Sequence, residues 1–179
     1  METVLDIYSE IEKNHPEAIE FKDLSRNEVL IKKGSIERYG YFVESGAVRV
    51  IHLTEEKEQN IRFGYKGSFI TSLPSFFDNS PSPFSIEAIR KTRLKCFKKE
   101  YFFKTLKEAD NGLDILLELV NSMVHQFANR EIDLLTSSPK ELYERVQERS
   151  PQLFQEIPAL HIANYLGMSA EHLSRLRKS

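Results

Sequence analysis

Cysteine occurs once in these 179 residues, at Cys96, which excludes an intramolecular disulfide and a four-cysteine zinc or iron–sulfur site within one chain. In the strand-like run TRLKCF it reads as a small buried hydrophobe. Long apolar runs are missing too: no stretch of eighteen apolar residues could span a membrane. The opening METVLDIYSEIEKN is acidic and alternating, where a signal peptide would present an uncharged apolar block. The chain therefore reads as soluble and cytoplasmic, with no membrane among its partners. The five histidines, at 15, 52, 125, 161 and 172, form no HExxH or other close ligand pair. No metal is expected, and nothing positive supports haem on His52 or His125. G-x-S-x-G, the P-loop and G-x-G-x-x-G are all absent, so no catalytic residue is assigned and the chain reads as a binder, not an enzyme. A strong charge of one sign is also lacking, the formal net charge being -2.

What is present falls into three regions. Residues 1–24 suggest one amphipathic helix, with Val4, Leu5, Tyr8 and Ile11 at helical spacing, stopping near Asn14 and Pro16. From EVLIKKG through YFVESGAVRVIHL, QNIRFGYKGSF and FSIEAI to TRLKCF, short β-branched or aromatic runs are punctuated by glycine and polar clusters, the signature of a compact all-β region. TEEKEQ, Thr54 to Gln59, reads as a solvated hairpin tip without function. Helical spacing returns at KEYFFKTLKEA, and a longer helix starts at Asn111, with Asp114 in the capping-box position, and runs to about Leu135. On it Leu113, Leu117, Val120, Val124, Phe127 and Leu134 recur by fours and threes, interrupted by Glu131, and a second stripe of Leu116, Leu119 and Met123 flanks the first. One stripe would pack on its own domain while the other meets a partner helix, so a homodimer is expected. SSPKE then restarts a helix, with Ser138 as cap, Pro139 at the first helical position and Glu141 completing the box.

The last stretch, PALHIANYLGMSAEHLSRLRK, meets the demands of a helix-turn-helix. Ala163 is the small residue where two helices touch and Gly167, four later, the positive-φ turn. Ile162, Leu166, Met168, Leu173 and Leu176 fall at inward positions, and Ser169 can cap the second helix, from about Ser169 to Lys178. Its outward side chains, Ala170, Glu171, His172, Ser174 and Arg175, would meet base edges in the major groove. Arg175 suits guanine and Glu171 cytosine, while Arg177 and Lys178 suit phosphate. From Pro139 onward six Lys or Arg face five Asp or Glu, a field too weak for strong nonspecific binding, so two half-sites read by a dimer are required.

With these motifs in place, EVLIKKGSIERYGYFVESGAVRVI, GSFITSLPSFFDNSPSPFSIEAI and GMSAEHLSRLRK resemble the glycine-punctuated first strands, the phosphate-binding cassette and the recognition helix of the cyclic AMP receptor protein/FNR (Crp/Fnr) family of bacterial transcription regulators. The resemblance implies an α+β fold: a cyclic-nucleotide-binding-like β-roll (a double-stranded β-helix, or jelly roll) with flanking helices at 1–110, a dimerisation helix at 111–137, and an all-helical helix-turn-helix domain at 138–179. It implies double-stranded DNA and a second copy of the chain as partners, with RNA polymerase as a further one. Ser169 joins the outward residues of the second helix as a DNA-binding position. The cassette positions are Ser72, Leu73, Ser82, Pro83 and Phe84. Relatives that bind cyclic AMP carry a glutamate where this chain has Ser72, and an arginine followed by a small hydroxyl residue where it has Ser82 and Pro83. Each charge-assisted bond lost is worth about 1.5–3 kcal/mol, and proline also removes an N–H donor, so no response to cyclic AMP and no certain cofactor are expected. Another small effector stays open, an apolar one near Phe69, Phe76, Phe77 and Phe84, although core packing is the stronger reading of those rings. Many relatives continue into a β-hairpin wing where this sequence stops at Ser179. The rival reading is an effector-binding or protein-interaction module that has lost DNA binding.

Overall fold

The computed structural model describes residues 2–55 and 57–178, and the side chains of 2–6 lie outside it. Val4 and Leu5 of the first apolar stripe, Glu56 of the hairpin tip and Ser179 at the chain end therefore fall outside the described residues. Helix α1 (Glu2–Asn14) buries Ile7, Tyr8 and Ile11. It stops where Pro16 begins a short 3-10 turn, Pro16–Ala18, because proline has no N–H to continue the ladder.

Among the described residues eight antiparallel strands follow: β1 (Ile19–Leu24), β2 (Val29–Ile31), β3 (Tyr39–Ser45), β4 (Ala47–Leu53), β5 (Glu58–Tyr65), β6 (Phe69–Ile70), β7 (Ser85–Ala88) and β8 (Thr92–Lys98). They form two sheets, ordered β1-β8-β3-β6 and β2-β7-β4-β5. Strand β1 corrects the sequence reading, in which strands begin only at EVLIKKG. It pairs with β8 from Ile19↔Phe97 to Leu24↔Thr92, but only Leu24 is buried. Its Ile19-Glu20-Phe21-Lys22 run alternates, but with Phe21 53% exposed the alternation marks no buried face.

Between the sheets lies an apolar interior of Leu24, Ile31, Tyr41, Val48, Ile86 and Leu94 with their neighbours. A second core forms on the outer side of the first sheet, where α1, α3 (Lys99–Glu108) and α4 (Gly112–Leu135) meet Phe42, Phe97 and the short α2 (Leu73–Asp78). Phe76 of α2, Phe102 of α3 and Leu119 of α4 are buried there. At the start of α4 Asn111 occupies the cap position, yet its side chain makes no cap bond, contrary to the capping-box expectation. Its φ of -104° and ψ of 20° are not the extended backbone that aims a side chain at the first turn. The chain is folded tightly here, for a Cβ on Gly112 would stand 1.7 Å from the Leu106 carbonyl oxygen.

Four short helices complete the chain: α5 (Pro139–Arg149), α6 (Pro151–Glu156), α7 (Ala159–Leu166) and α8 (Ala170–Leu176). The Ser138 hydroxyl caps α5, accepting from the Glu141 N–H at 3.3 Å. Their core is shared with the second sheet, because Ala47 and Ile89 are buried in it and Phe63 and Tyr65 of β5 pack against it. The molecule is α+β, a β-roll flanked by helices and carrying a helical end. Among the described residues no helix is long and apolar enough to cross a membrane.

Candidate functional site

Helices α7 and α8 form the helical pair that the sequence anticipates. Ala163 is buried where they touch, and Gly167 ends α7 at φ +69°. A left-handed residue there lets the Met168 N–H reach the Ala163 carbonyl at 3.0 Å and the Gly167 N–H reach that of Asn164 at 3.2 Å, the Schellman closure of a helix end. Ser169 caps α8, accepting from the His172 N–H at 3.1 Å. Ile162, Leu166 and Leu173 are buried and Met168 and Leu176 partly so, which leaves Glu171, Ser174, Arg175, Arg177 and Lys178 facing solvent and Ala170 and His172 half-buried. The helix is shorter than expected: Arg177 is its C-cap, and the Lys178 N–H closes on the Arg175 carbonyl. Arg177 also donates to the Phe154 carbonyl at 3.3 Å, so its guanidinium is partly held by α6. The Glu171 carboxyl is held below the usual range by its own backbone N–H and the Ser169 hydroxyl, with Arg175 adding to the effect.

The pair is docked on the roll by polar contacts that sequence reading missed. Asn164 of α7 offers its amide to the free edge of β5: its Oδ1 accepts from the Asn60 N–H at 2.6 Å and its Nδ2 donates to the Glu58 carbonyl at 2.9 Å. Gln59 donates to the Asn164 carbonyl, and Asn60 Nδ2 to that of His161 at 3.1 Å. Glu58 and Gln59 thus belong to strand β5 and its contact with α7, correcting their assignment to a functionless tip. Burial, then the nearby Arg49, pushes the His161 imidazole below its usual range. Beside this seam Arg90 holds the Glu156 carboxylate and carbonyl, each at 2.5 Å. At the far end of α4 the wholly buried Asp133 carboxylate takes a bidentate pair from Arg149, at 2.6 and 3.1 Å, with Arg145 Nε at 3.6 Å. The Asp133 bond holds the Arg149 guanidinium above its usual range.

The two stripes of α4 separate as their spacing suggests. Leu119 is buried, and Leu116 and Met123 pack against the helix–sheet core. Leu113, Leu117, Val120, Val124, Phe127 and Leu134 are between 43% and 69% exposed, an apolar face interrupted only at Glu131.

Comparison with known proteins gives this arrangement its place. Residues 21–109 match the family model described as Cyclic nucleotide-binding domain. The chain superposes on FixK2 from Bradyrhizobium japonicum with a TM-score of 0.76 at 18% identity, over 89% of this chain and 83% of that one. It superposes on the c-di-GMP responsive global regulator CLP of Xanthomonas campestris with a TM-score of 0.67 at 14% identity, covering 96% and 90% of the two chains. For the Thermus thermophilus catabolite activator protein the TM-score is 0.58 at 20% identity, over 95% and 81%. The chain has the Crp/Fnr fold. No curated protein matches it.

In this Crp/Fnr fold the expected cassette positions lie on α2 and its flanks, and of the two serine hydroxyls that of Ser82 is engaged by the protein's own hydrogen bonds. Ser82 exchanges backbone bonds with Gly34 and Ser35, at 2.7 and 2.8 Å, and its hydroxyl donates to the Phe84 carbonyl at 2.7 Å. Ser72, at the cap of α2, is buried with a hydroxyl that has no partner among the described residues. Leu73, Pro83 and Phe84 are half-buried, and Phe84 packs into the roll interior beside the His52 ring. Glu37 nearby is the buried acid of the region. Burial pushes its carboxyl up, against the lowering effect of hydrogen bonds from the Tyr39 and Arg38 N–H groups and the Tyr41 hydroxyl. The four phenylalanines do not line one cavity: Phe69 and Phe76 belong to the helix–sheet core, Phe77 faces solvent and Phe84 alone faces the roll interior. Among the described residues no three His, Cys, Asp or Glu side chains are grouped to hold a metal.

Proposed function

We propose that this chain is a homodimeric, DNA-binding transcription regulator of the Crp/Fnr type that works without cyclic AMP. The observation that carries the reading is the capped, outward-facing α8, presented to solvent while α7 is hydrogen-bonded to the roll edge. Ser169, Ala170, Glu171, His172, Ser174, Arg175, Arg177 and Lys178 would face DNA, with Arg175 and Glu171 reading base edges and Arg177 and Lys178 meeting phosphate. The exposed face of α4 would join two copies in parallel, setting both α8 helices on one side. On this reading residues 1–110 form the roll domain, 111–137 the dimer helix and 138–179 the DNA-binding domain. The dimer acts on DNA in the cytoplasm, with RNA polymerase as a contact, and catalyses no reaction. Ser72 and Ser82 supply no charge for a cyclic phosphate, so cyclic AMP is not its effector.

Selection of genomic DNA fragments by the purified protein without nucleotide tests the proposal. The expected product is an inverted repeat with half-sites about one helical turn apart, ~34 Å, bound with an affinity that cyclic AMP leaves unchanged. Fragments no richer than the input would leave the roll as an interaction module without DNA binding. A tenfold tightening by cyclic AMP would overturn the nucleotide independence.

A further inference from the structure

The exposed face of α4 repeats at intervals of four, three, four, three, four and three residues, through Leu113, Leu117, Val120, Val124, Phe127, Glu131 and Leu134. This is the a/d pattern of a two-stranded seam, and Glu131 occupies an a position. It is exposed, and among the described residues no cation lies within ion-pair distance of it. In a parallel pair an a residue faces its own copy, so two carboxylates would confront each other there.

A cation without an acid stands one helical turn away. Arg62 of β5 places its guanidinium carbon 5.4 Å from the centre of the Phe127 ring, which is itself more than half exposed. Among the described residues no carboxylate lies within 4.0 Å of Arg62, unlike Arg49, Arg90, Arg93, Arg145 and Arg149, each of which has one. Burial pushes its guanidinium below the usual range, the effect of desolvation on a charge without a partner. Because Arg62 belongs to the roll and lies over a seam residue of its own α4, it flanks the groove in which a second α4 would lie. Arg130 cannot serve instead, since its guanidinium stacks 3.9 Å from the Tyr165 ring centre and donates to the Tyr165 carbonyl.

From these positions we infer that the dimer is completed by an ion pair in trans, Arg62 of each copy meeting Glu131 of the partner subunit. The inference rests on the homodimer reading above and deepens it. The paired charges neutralise the seam acid, fix the helix register and tie each roll to the other copy's α4 close to the Asp133 clamp.

The test is charge reversal in the full chain, followed by native mass spectrometry and analytical ultracentrifugation. Arg62→Glu and Glu131→Arg should each weaken self-association by about tenfold or more. An equimolar mixture of the two should form heterodimers well above the statistical half, and further above it than a mixture of Glu131→Arg with wild type, because both mixtures set a Glu131→Arg chain against one that keeps Glu131 but only the first restores both trans pairs. A pair made within one chain would leave each variant repelling itself and the mixture unimproved. Statistical mixing, with a dimeric wild type, overturns the ion pair and leaves the dimer standing. A wild type that stays monomeric at about 100 μM, a Kd no tighter than ~5.5 kcal/mol, overturns the homodimer reading itself. Should a reversal fail to fold, Arg62→Gln and Glu131→Gln carry the same test, since in a double-mutant cycle the combined loss should be no greater than either single loss.

Discussion

At the scale of the residue, the proposed base reading rests first on Arg175, exposed in the last turn of α8. Arg175→Ala should weaken binding to the selected operator by about 1–3 kcal/mol and relax preference at one base pair, with little change on scrambled DNA. Fluorescence anisotropy on the two sequences measures this, and equal operator affinity would remove Arg175 from the readout. The residues of α7 and α8 that geometry restricts were legible in the sequence. Only a small side chain fits at Ala163, only a left-handed residue turns the chain at Gly167, and a hydroxyl before a helix reads as a cap. Asn164 was not legible, since a polar residue on a short helix has the look of a solvated one. Its partners, Glu58 and Asn60, lie about a hundred positions earlier, beyond any local pattern.

At the scale of the element, periodicity carried the reading furthest on α4. The spacing places its end at Leu135, where the structure ends it, and separates a packed stripe from an exposed one. The main failure has a physical reason too. β1 is an exposed edge whose Ile19-Glu20-Phe21-Lys22 alternation marks no buried face, and α8 ends at Leu176, two residues short of Lys178. Since the exposed stripe lies outside the buried cores of one copy, a charge at one of its exposed positions tests association largely apart from folding. Val124, 56% exposed, lies near the middle of the seam. Val124→Asp should raise the dimer dissociation constant more than tenfold, an unpaired charge in an apolar contact costing at least about 2 kcal/mol, and should leave the melting temperature of the monomer nearly unchanged. Light scattering coupled to gel filtration reads the first and calorimetry the second. An undisturbed dimer would move the interface off this face.

At the scale of the whole molecule, the helical end has no core of its own apart from the roll: Ala47, Ile89, Phe63 and Tyr65 complete it. Polar contacts then set its orientation, Asn164 on the β5 edge, Arg90 on Glu156, and Asp133 between two arginines of α5. Such contacts add less to stability than the apolar burial, but each is directional, so together they select one placement of α8 among those the apolar contact alone would permit. On the proposed reading these contacts would hold α8 in one placement, consistent with cassette serines that are occupied or buried. Asn164→Ala tests the link between orientation and function. It strips the Asn60 N–H, on a residue with no exposed surface, of its acceptor and should loosen the docking by about 1–3 kcal/mol. Amide hydrogen exchange should then quicken across β5 and α7 while the α1–α3–α4 core keeps its protection, and operator affinity should fall although no base-reading side chain has changed. If exchange quickens and operator affinity does not move, the docked orientation is not what prepares α8 for DNA.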